Sequence, residues 1–376
     1  MDTSDSVMQV KDYIKERIKR ELFYRHIYLS RLKDSINDLN KAYSIVKTQI
    51  TTSQKEDVLA FWERYLRNRL VKKSFDIRWF DVYNSIRPNQ TDLKFYIPDG
   101  FYYCMVDTFF SNHEACYMMD DKNLYDLYFP EAKRPLTIIR KEKELFFDAN
   151  YNIISVDKAI QLCKQQDKII IKPSIESCGG KGICYWSNKE SDINDLRNIL
   201  GKYDSMIVQQ VVTPHELFKK INGDCLSTLR IVTLIFGGSV HVVSSVLIMA
   251  GKGAKTNHLH SGGLVCGIKP DGRMKDCAYD GAGNCYAEHP NGIVFSKTVI
   301  PGYQNCVDLV KMLAPRLSRV TRLIGWDLTI GPSGEPILIE ANLTWGGLCQ
   351  IANGPIFGSL TPSILDYVVE NSPYFK

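Results

Sequence analysis

The sequence predicts a mixed helix-and-sheet protein, of the α+β or α/β class, with a helical N-terminus and much antiparallel sheet near the C-terminus. Residues 8 to about 50 contain neither Gly nor Pro, and their apolar side chains recur at helical spacing. From residue 167 onward, strand-like apolar runs alternate with helices and glycine-rich turns. Residues 323–342 hold two apolar runs around a Gly-Pro-Ser-Gly turn, which predicts a β-hairpin.

The composition is that of an ordinary globular protein: 24% of the 376 residues are charged and 44% are hydrophobic. This length suggests two or three domains. The formal net charge of +5 is small, and no basic stripe with interleaved aromatic residues occurs, so we expect no nucleic-acid partner. Polar residues interrupt every apolar run well before about 18 positions, which predicts no transmembrane helix.

Cysteine usage points to a reducing environment. The eleven cysteines include no C-x-x-C pair, and the N-terminus lacks the apolar region of a secretion signal. We therefore expect free thiols and a cytoplasmic location, with a position beside a membrane left open.

Residues 1–75 are expected to form a helical extension. Apolar residues recur from Ile14 through Ile18 and Leu22, and Lys, Arg and Glu fill the remaining faces, which indicates a solvated helix face. A second helix is predicted over residues 56–73, preceded by a Thr-Thr-Ser-Gln cap. Its aromatic residues fit core packing better than a ligand site. Residues 76–165 mix short strands, turns and helices, and we assign them to a preceding α/β subdomain.

A lysine and a glycine-rich loop form the first candidate binding element. The strand over residues 168–172 ends in Lys172, and glycines and Lys181 follow in residues 177–182. Glycine-rich loops between strands can fold over phosphates and present backbone N–H groups, which the two lysines would support. The pattern is not a Walker A sequence, and a purely structural turn is an equal alternative.

Three further segments carry polar residues in apolar surroundings. The strand over residues 206–212 holds an amide pair and suits either an adenine-facing edge or a buried core strand. Arg230 lies within an apolar strand, so its partner is either a structural carboxylate or a bound anion. The loop over residues 253–263 brings Lys255, Asn257 and histidines together, as an active-site loop does, although such histidines are often structural.

The predicted hairpin carries two carboxylates and an amide. Folding it about residues 332–333 places Asp327 opposite Leu338, so that Leu338, Glu340 and Asn342 share the face of Asp327. Neighbouring carboxylates repel each other unless a cation neutralises them, and hard oxygen donors suit a Mg²⁺–nucleotide site. A polar hairpin face exposed to solvent is the alternative.

In this order, the elements resemble those of the ATP-grasp superfamily. The loop from Lys255 to Gly263 is similar to that of glutamate-adding ligases that act on ribosomal proteins. Residues 226–233 and 96–99 resemble the sugar-transfer-associated ATP-grasp family, whose genes lie among those for capsule and surface polysaccharides. The resemblance covers roughly residues 90–360. It implies an ATP-grasp fold, in which two α+β subdomains clamp ATP, with a lid subdomain over residues 166–212 and a catalytic subdomain over residues 213–376.

The resemblance also implies roles for individual residues. Lys172 would contact the α- and β-phosphates, Arg230 would steady the transferred phosphoryl group, and Asn257 and Lys255 would border the acceptor pocket. A second basic residue usually precedes the lid, and Lys122, Lys133 and Arg140 are all candidates. The remaining implied roles are the lid (Ser177, Gly179, Gly180, Lys181 and Gly182), the adenine hinge (Gln209, Gln210 and Val212), ribose binding (Glu216) and Mg²⁺ binding (Asp327, Glu340 and Asn342).

The implied activity is that of a carboxylate–amine or carboxylate–thiol ligase that uses ATP and Mg²⁺ and attaches an amino acid to a sugar or glycan precursor. Residues 345–346, Trp-Gly, replace the Pro-Gly usual after the last metal ligand, so the acceptor pocket is expected to differ. One alternative is a kinase that phosphorylates a sugar or polyol hydroxyl. Another is a non-catalytic nucleotide-binding scaffold whose N-terminal helices dock a glycosyltransferase or a second copy of the chain.

Overall fold

The computed structural model describes residues 3–88, 90–175, 182–223, 225–251, 257, 259, 262–343 and 348–372. The chain forms two compact units, one made of Met1–Phe109 with Ser359–Lys376 and the other of Phe110–Gly358. The subdomain boundaries expected from the sequence stay predictions. The described helices are α1 (Thr3–Tyr43), α2 (Thr52–Trp62), α3 (Arg69–Ser74), α4 (Arg78–Ile86), α5 (Asp99–Phe101), α6 (Thr108–Phe110), α7 (His113–Met119), α8 (Tyr125–Tyr128), α9 (Val156–Lys164), α10 (Ile193–Lys202), α11 (Glu216–Ile221), α12 (Tyr303–Leu313), α13 (Leu348–Asn353) and α14 (Thr361–Asn371).

The described part of the first unit is helical, and the helical N-terminus expected from the sequence is confirmed. Helix α2 begins with a capping box, in which Thr51 Oγ1 accepts from the Gln54 N–H at 3.2 Å and Gln54 Oε1 accepts from the Thr51 N–H at 2.9 Å. The predicted helix over residues 56–73 is not continuous, because α2 ends at Trp62 and α3 follows separately. The break brings the ring of Phe75 to 5.2 Å from that of Trp62, whereas 13 residues of unbroken helix would separate them by about 20 Å.

The described strands of the second unit form two large antiparallel sheets and a small one. The strands are β1 (Thr137–Glu142), β2 (Leu145–Asp148), β3 (Ile153–Ile154), β4 (Lys168–Pro173), β5 (Cys184–Ser187), β6 (Ser205–Gln210), β7 (Thr228–Phe236), β8 (Ser239–Ala250), β9 (Gly263–Ile268), β10 (Met274–Tyr279), β11 (Cys285–Tyr286), β12 (Glu288–His289), β13 (Ile293–Val294), β14 (Leu323–Ile330) and β15 (Pro336–Asn342). The six-stranded sheet has the order β3-β2-β1-β6-β4-β5, the seven-stranded sheet has the order β11-β10-β9-β8-β7-β14-β15, and β12 pairs with β13.

Each of the two large sheets has its own hydrophobic core. Apolar residues of β1, β4 and β6 pack with α9 and α10 around Ile171 and Leu196. On the seven-stranded sheet, residues of β7, β14 and α12 pack around Trp326 and Leu328. Helices pack against both of these sheets, so the α+β class expected from the sequence is confirmed.

The hairpin of β14 and β15 forms as predicted, but its register differs. Asp327 lies opposite Glu340, and Leu338 lies opposite Leu328, with a bulge between these two pairs. Leu338 is consequently buried in the core with Leu328, so the expectation that it shares the face of Asp327 is wrong. The bulge inserts one extra residue, Ile339, which changes the face on which the following side chains point.

Helix α12 is fixed against the hairpin turn through a glycine. Gly302 precedes α12 with φ +64°, and a Cβ at this position would clash with the Gly334 carbonyl oxygen of the turn. We expect Gly302→Ala to cost at least about 2 kcal/mol, from backbone strain and the clash together, and to lower Tm by about 5 °C or more. Gly292→Ala is the matched control, because φ is +82° there but no atom lies within 4 Å of the added Cβ. Equal Tm losses in the two variants would contradict the close approach.

Candidate active site

Two acidic residues and an arginine lie side by side on one face of the seven-stranded sheet. The strand registers pair Arg230 of β7 with Asp327 of β14, and Asp327 with Glu340 of β15. Residues paired across antiparallel strands point to the same face, and Asn342, two residues beyond Glu340, points there too. The structure thus brings together the three residues assigned to the metal site, whose role as ligands stays a prediction.

Arg230 forms a two-bond ion pair with Asp327. Its Nε donates to Oδ1 at 2.8 Å, and its Nη2 donates to Oδ2 at 2.6 Å. Burial alone would lower the pKa of the guanidinium, but the Asp327 carboxylate outweighs burial and raises that pKa above its ordinary value. Of the two partners that the sequence left open for Arg230, the structure shows the carboxylate. Nη1 takes no part in this pair and is the atom through which Arg230 would meet a ligand.

Lys122 lies opposite the other carboxylate. Its Nζ is 3.0 Å from Glu340 Oε1, and its side chain is 4% exposed. Asp121 caps the short turn that begins at Lys122, and the Lys122 N–H donates to the carbonyl of Ser174, just beyond β4. This bond ties the turn to the strand that carries Lys172.

Lys172 lies on β4 and is 8% exposed. Burial, reinforced by the positive charge of Lys122 and opposed by the Glu340 carboxylate, lowers the pKa of the Lys172 ammonium group to about 8. The buried lysines, Arg230 and the two carboxylates carry a net positive charge at neutral pH. Such a site stabilises an anion, since phosphate oxygens would offset the unpaired positive charge.

The three candidates for the second basic residue differ in position. Lys133 is exposed and pairs with Glu335 at 2.6 Å. Arg140 shares a cross-strand row with Lys172, but its guanidinium already donates to the carbonyls of Asn123, Asp148 and Ala149 and to Asp126. Of these three residues, Lys122 is the one that pairs with Glu340 and lowers the pKa of Lys172. The geometry therefore favours Lys122 as the second basic residue.

Arg134 also lies near this group, although no sequence motif includes it. Its side chain is largely buried, its guanidinium lies over the Tyr125 ring at 4.8 Å, and Nη1 is 3.7 Å from Asp126. Burial lowers the pKa of the Arg134 guanidinium, and the positive charge of Arg134 helps to lower the pKa of Lys172. No periodicity marks this residue in the sequence, because Arg134 precedes β1 and only the tertiary fold brings it near Lys172.

The residues expected at the nucleotide hinge lie at the end of β6. Gln209 is buried and donates from Nε2 to the Pro135 carbonyl at 3.3 Å, while its Oε1 has no hydrogen-bond partner among the described residues. The Gln210 N–H donates to the Leu136 carbonyl at 2.8 Å. Strand β6 ends at Gln210, two residues earlier than predicted, so Val212 lies beyond the ladder. An unpaired buried acceptor suits a ligand that carries an amino group.

Glu216, the residue expected to bind ribose, is the first residue of α11 and is exposed. Its carboxylate accepts a hydrogen bond from Lys219 at 2.6 Å, and this bond lowers its pKa. His215 caps the same helix, with Nδ1 accepting from the Leu217 N–H at 3.1 Å. Glu216 therefore lies at a defined helix start, and its contact with ribose stays a prediction.

Several predicted site residues lie outside the described part of the chain, namely Lys255, Ser177, Gly179, Gly180 and Lys181. Gly182 is described, with φ +77° and Pro173 close to the position of a Cβ. Asn257 is also described, and its Nδ2 donates to the Leu226 carbonyl and to Thr228 Oγ1, both at 3.2 Å. These bonds anchor Asn257 to the start of β7, two residues before Arg230.

The residues on the sheet face fit a magnesium ion. Asn342 donates from Nδ2 to Asp327 Oδ2 at 3.0 Å, so its amide oxygen is the atom left for a cation. The Glu340 side chain is 26% exposed and can be reached from outside. No three His, Cys, Asp or Glu side chains converge on a metal position in the described ranges. A cation here would need water or phosphate oxygens as further ligands, which is the usual coordination of protein-bound Mg²⁺.

A family model of sugar-transfer-associated ATP-grasp proteins matches residues 109–364. No curated protein matches the chain. The fold of this chain is similar to that of D-alanyl-alanine synthetase A from Vibrio cholerae, with 15% identity over 70% of this chain and 67% of that one and a TM-score of 0.41. It is similar to that of VanG D-Ala:D-Ser ligase from Enterococcus faecalis, with 12% identity over 69% of this chain and 63% of that one and a TM-score of 0.43. It is also similar to that of biotin carboxylase from Campylobacter jejuni, with 10% identity over 69% of this chain and 48% of that one and a TM-score of 0.44. The chain thus spans about half to two thirds of the length of these proteins.

Among the described residues, no helix has the length and apolar character needed to cross a bilayer. The family model covers well over half of the chain, and its range contains all three described sheets and every residue of the candidate site. The fold class and the family expected from the sequence are therefore confirmed: the chain belongs to the sugar-transfer-associated ATP-grasp family.

Proposed function

We propose that this protein is an ATP- and Mg²⁺-dependent carboxylate–amine ligase that attaches an amino acid to a sugar or glycan precursor during surface polysaccharide synthesis. The observation that carries the proposal is the row of Arg230, Asp327 and Glu340, which faces the buried lysines Lys122 and Lys172. Family membership supports an ATP-grasp enzyme, and the family's description supports the sugar-containing substrate.

The charges around the site suit a nucleotide tail. Lys172 and Lys122 would hold its phosphates, and Lys122 would be the second basic residue that the resemblance requires. Asp327, Glu340 and Asn342 would hold Mg²⁺, which supplies charge neutralisation for phosphoryl transfer when bound. The unpaired Oε1 of Gln209 would accept a hydrogen bond from the adenine amino group.

The chemistry requires positioning more than covalent help from the protein. An oxygen of the substrate carboxylate attacks the γ-phosphorus, and the bond to the ADP oxygen breaks. An amine then attacks the carbonyl carbon of the acyl phosphate, loses a proton, and displaces phosphate to leave an amide. Arg230, held by Asp327 and with Nη1 uncommitted to that pair, would orient the oxygens that gain charge in the first step.

Hydroxylamine tests the acyl phosphate directly. The purified protein would be incubated with ATP, Mg²⁺ and a panel of amino acids and uronic acids, tested one at a time, with hydroxylamine in large excess over any other amine. We expect a hydroxamate and ADP to form together, in equal amounts and only with a carboxylate substrate present, because hydroxylamine replaces the acceptor amine.

Two other outcomes would contradict the ligase. ADP released with a phosphorylated sugar or polyol, and without hydroxamate, would establish the kinase alternative. ATP binding without Mg²⁺-dependent ADP release, across carboxylates, amines, sugars and polyols, would favour the non-catalytic scaffold. Glu335→Gln is the matched control for the assay, because Glu335 lies on the same hairpin as Glu340 but forms its ion pair with exposed Lys133.

A further inference from the structure

One surface of the N-terminal unit has no place in the proposed reaction. It is formed by six exposed residues of α1, which we name the α1 stripe: Lys15, Ile18, Arg25, Leu29, Lys33 and Ile36. A helix turns by about 100° per residue, so these positions fall within an arc of about 80°. Along the axis they extend over about 32 Å. The six described residues therefore lie on one side of a long helix.

The apolar members of the stripe are large aliphatic side chains that are about half exposed. Ile18 is 51% exposed, Leu29 is 55% exposed and Ile36 is 45% exposed. An adjacent side of the same helix is buried, through Tyr28 and Leu39. The buried side fixes the orientation of α1 on its own unit and leaves the stripe facing outward.

Charge is concentrated in the same helix. Residues 11–33 contain eight Lys or Arg and three Asp or Glu, so this stretch alone carries a net charge equal to the +5 of the whole chain. Basic residues alternate with apolar ones within the stripe, and no acidic residue lies among its six members. The surface is complementary to a partner that is both negatively charged and apolar.

We propose that the α1 stripe docks the protein on an anionic lipid surface, with α1 lying in the plane of the membrane. Aliphatic side chains would enter the boundary between headgroups and acyl chains, while Lys15, Arg25 and Lys33 would reach the lipid phosphates. A second copy of the chain is a poorer partner, because the stripe offers no carboxylate to neutralise the basic residues of its counterpart. No described helix spans a bilayer, which agrees with a helix that lies on the surface.

Sedimentation of the full-length protein with lipid vesicles tests this proposal. We expect binding to vesicles of phosphatidylcholine with about 30 mol% phosphatidylglycerol, weak binding to phosphatidylcholine alone, and release at high salt. The triple variant Lys15→Gln, Arg25→Gln, Lys33→Gln should bind about 100-fold more weakly, since each charge contributes about fivefold. Ile18→Ser, Leu29→Ser, Ile36→Ser together should lose at least about tenfold.

Two controls separate the stripe from general surface effects. Leu127→Ser with Ile153→Ser removes apolar side chains of similar exposure from the second unit, and Lys189→Gln with Arg197→Gln removes basic charges from that unit. Both double variants should bind as wild type does. Failure to bind the anionic vesicles, or equal binding by the stripe variants, would overturn the proposal. So would a dimer in analytical ultracentrifugation that Leu29→Ser dissociates, because the stripe would then belong to a second copy. Circular dichroism and Tm establish that every variant is folded.

Discussion

Glu340→Gln is expected to lower the rate of ADP formation by about 100- to 1000-fold, which is the usual cost of removing one preorganised electrostatic partner from an active site. Of the two site carboxylates, that of Glu340 is the more accessible, and it lies 3.0 Å from the Nζ of buried Lys122. Its loss removes a proposed metal ligand and leaves that lysine uncompensated, so we also expect a lower Tm in the absence of nucleotide. Steady-state ADP release and thermal unfolding measure the two effects.

A double variant separates catalysis from stability. Lys122→Met added to Glu340→Gln removes both charges of the buried pair, and replacing both partners is often neutral or stabilising. We expect Tm to recover and activity to stay lost. Glu335→Gln on the same hairpin should leave activity and Tm unchanged, because its ion pair with Lys133 is exposed.

Asp327→Asn is expected to show the same loss of turnover with a larger loss of stability. Asparagine has one acceptor oxygen in place of two, so it breaks the two-bond pair and leaves the largely buried Arg230 guanidinium without its counter-charge. Turnover like that of the wild type in either purified variant would refute the metal assignment.

The hairpin shows how far a sequence pattern carries the prediction of this site. The Gly-Pro-Ser-Gly turn and the apolar runs were sufficient to place β14 and β15. A regular ladder that continued the pairing of Leu328 with Leu338 would put Ile339 opposite Asp327 and turn Glu340 to the other face. The bulge restores Glu340 to the face of Asp327, so the carboxylates meet although the register was wrong. Bulges leave no trace in hydrophobic alternation.

Contacts between residues far apart in the chain leave no local pattern in the sequence. Lys122 and Glu340 are more than 200 residues apart, and no local pattern distinguishes Lys122 from Lys133 or Arg140. The partner of Arg230 was open for the same reason. By contrast, Lys172 was identified locally, because a charged residue at the end of an apolar strand, followed by glycines, departs from the pattern of a core strand.

Lys172→Met is expected to raise the stability of the nucleotide-free protein while abolishing nucleotide binding. At pH 7 the native state holds this lysine charged against a pKa of about 8, whereas the unfolded chain has a pKa near 10.5. The difference corresponds to a penalty of roughly 3 kcal/mol, which methionine removes without changing the side-chain length greatly. We expect Tm to rise by several degrees and the increase of Tm with ATP to disappear.

The pH dependence has a definite sign. Between pH 8 and about 10.5 the unfolded chain binds more protons at this lysine than the native state does, so this group makes the wild-type protein more stable as pH rises through that window. Phosphates favour the charged lysine, so ATP binding should weaken over the same range as the proton is lost. Lys172→Met should show neither of these lysine-specific changes, and Lys168→Met, at the exposed start of the same strand, should behave as wild type. A lower Tm for Lys172→Met would show that Lys172 carries no burial penalty. An ATP-induced Tm shift that persists in this variant would show that Lys172 does not contact the nucleotide.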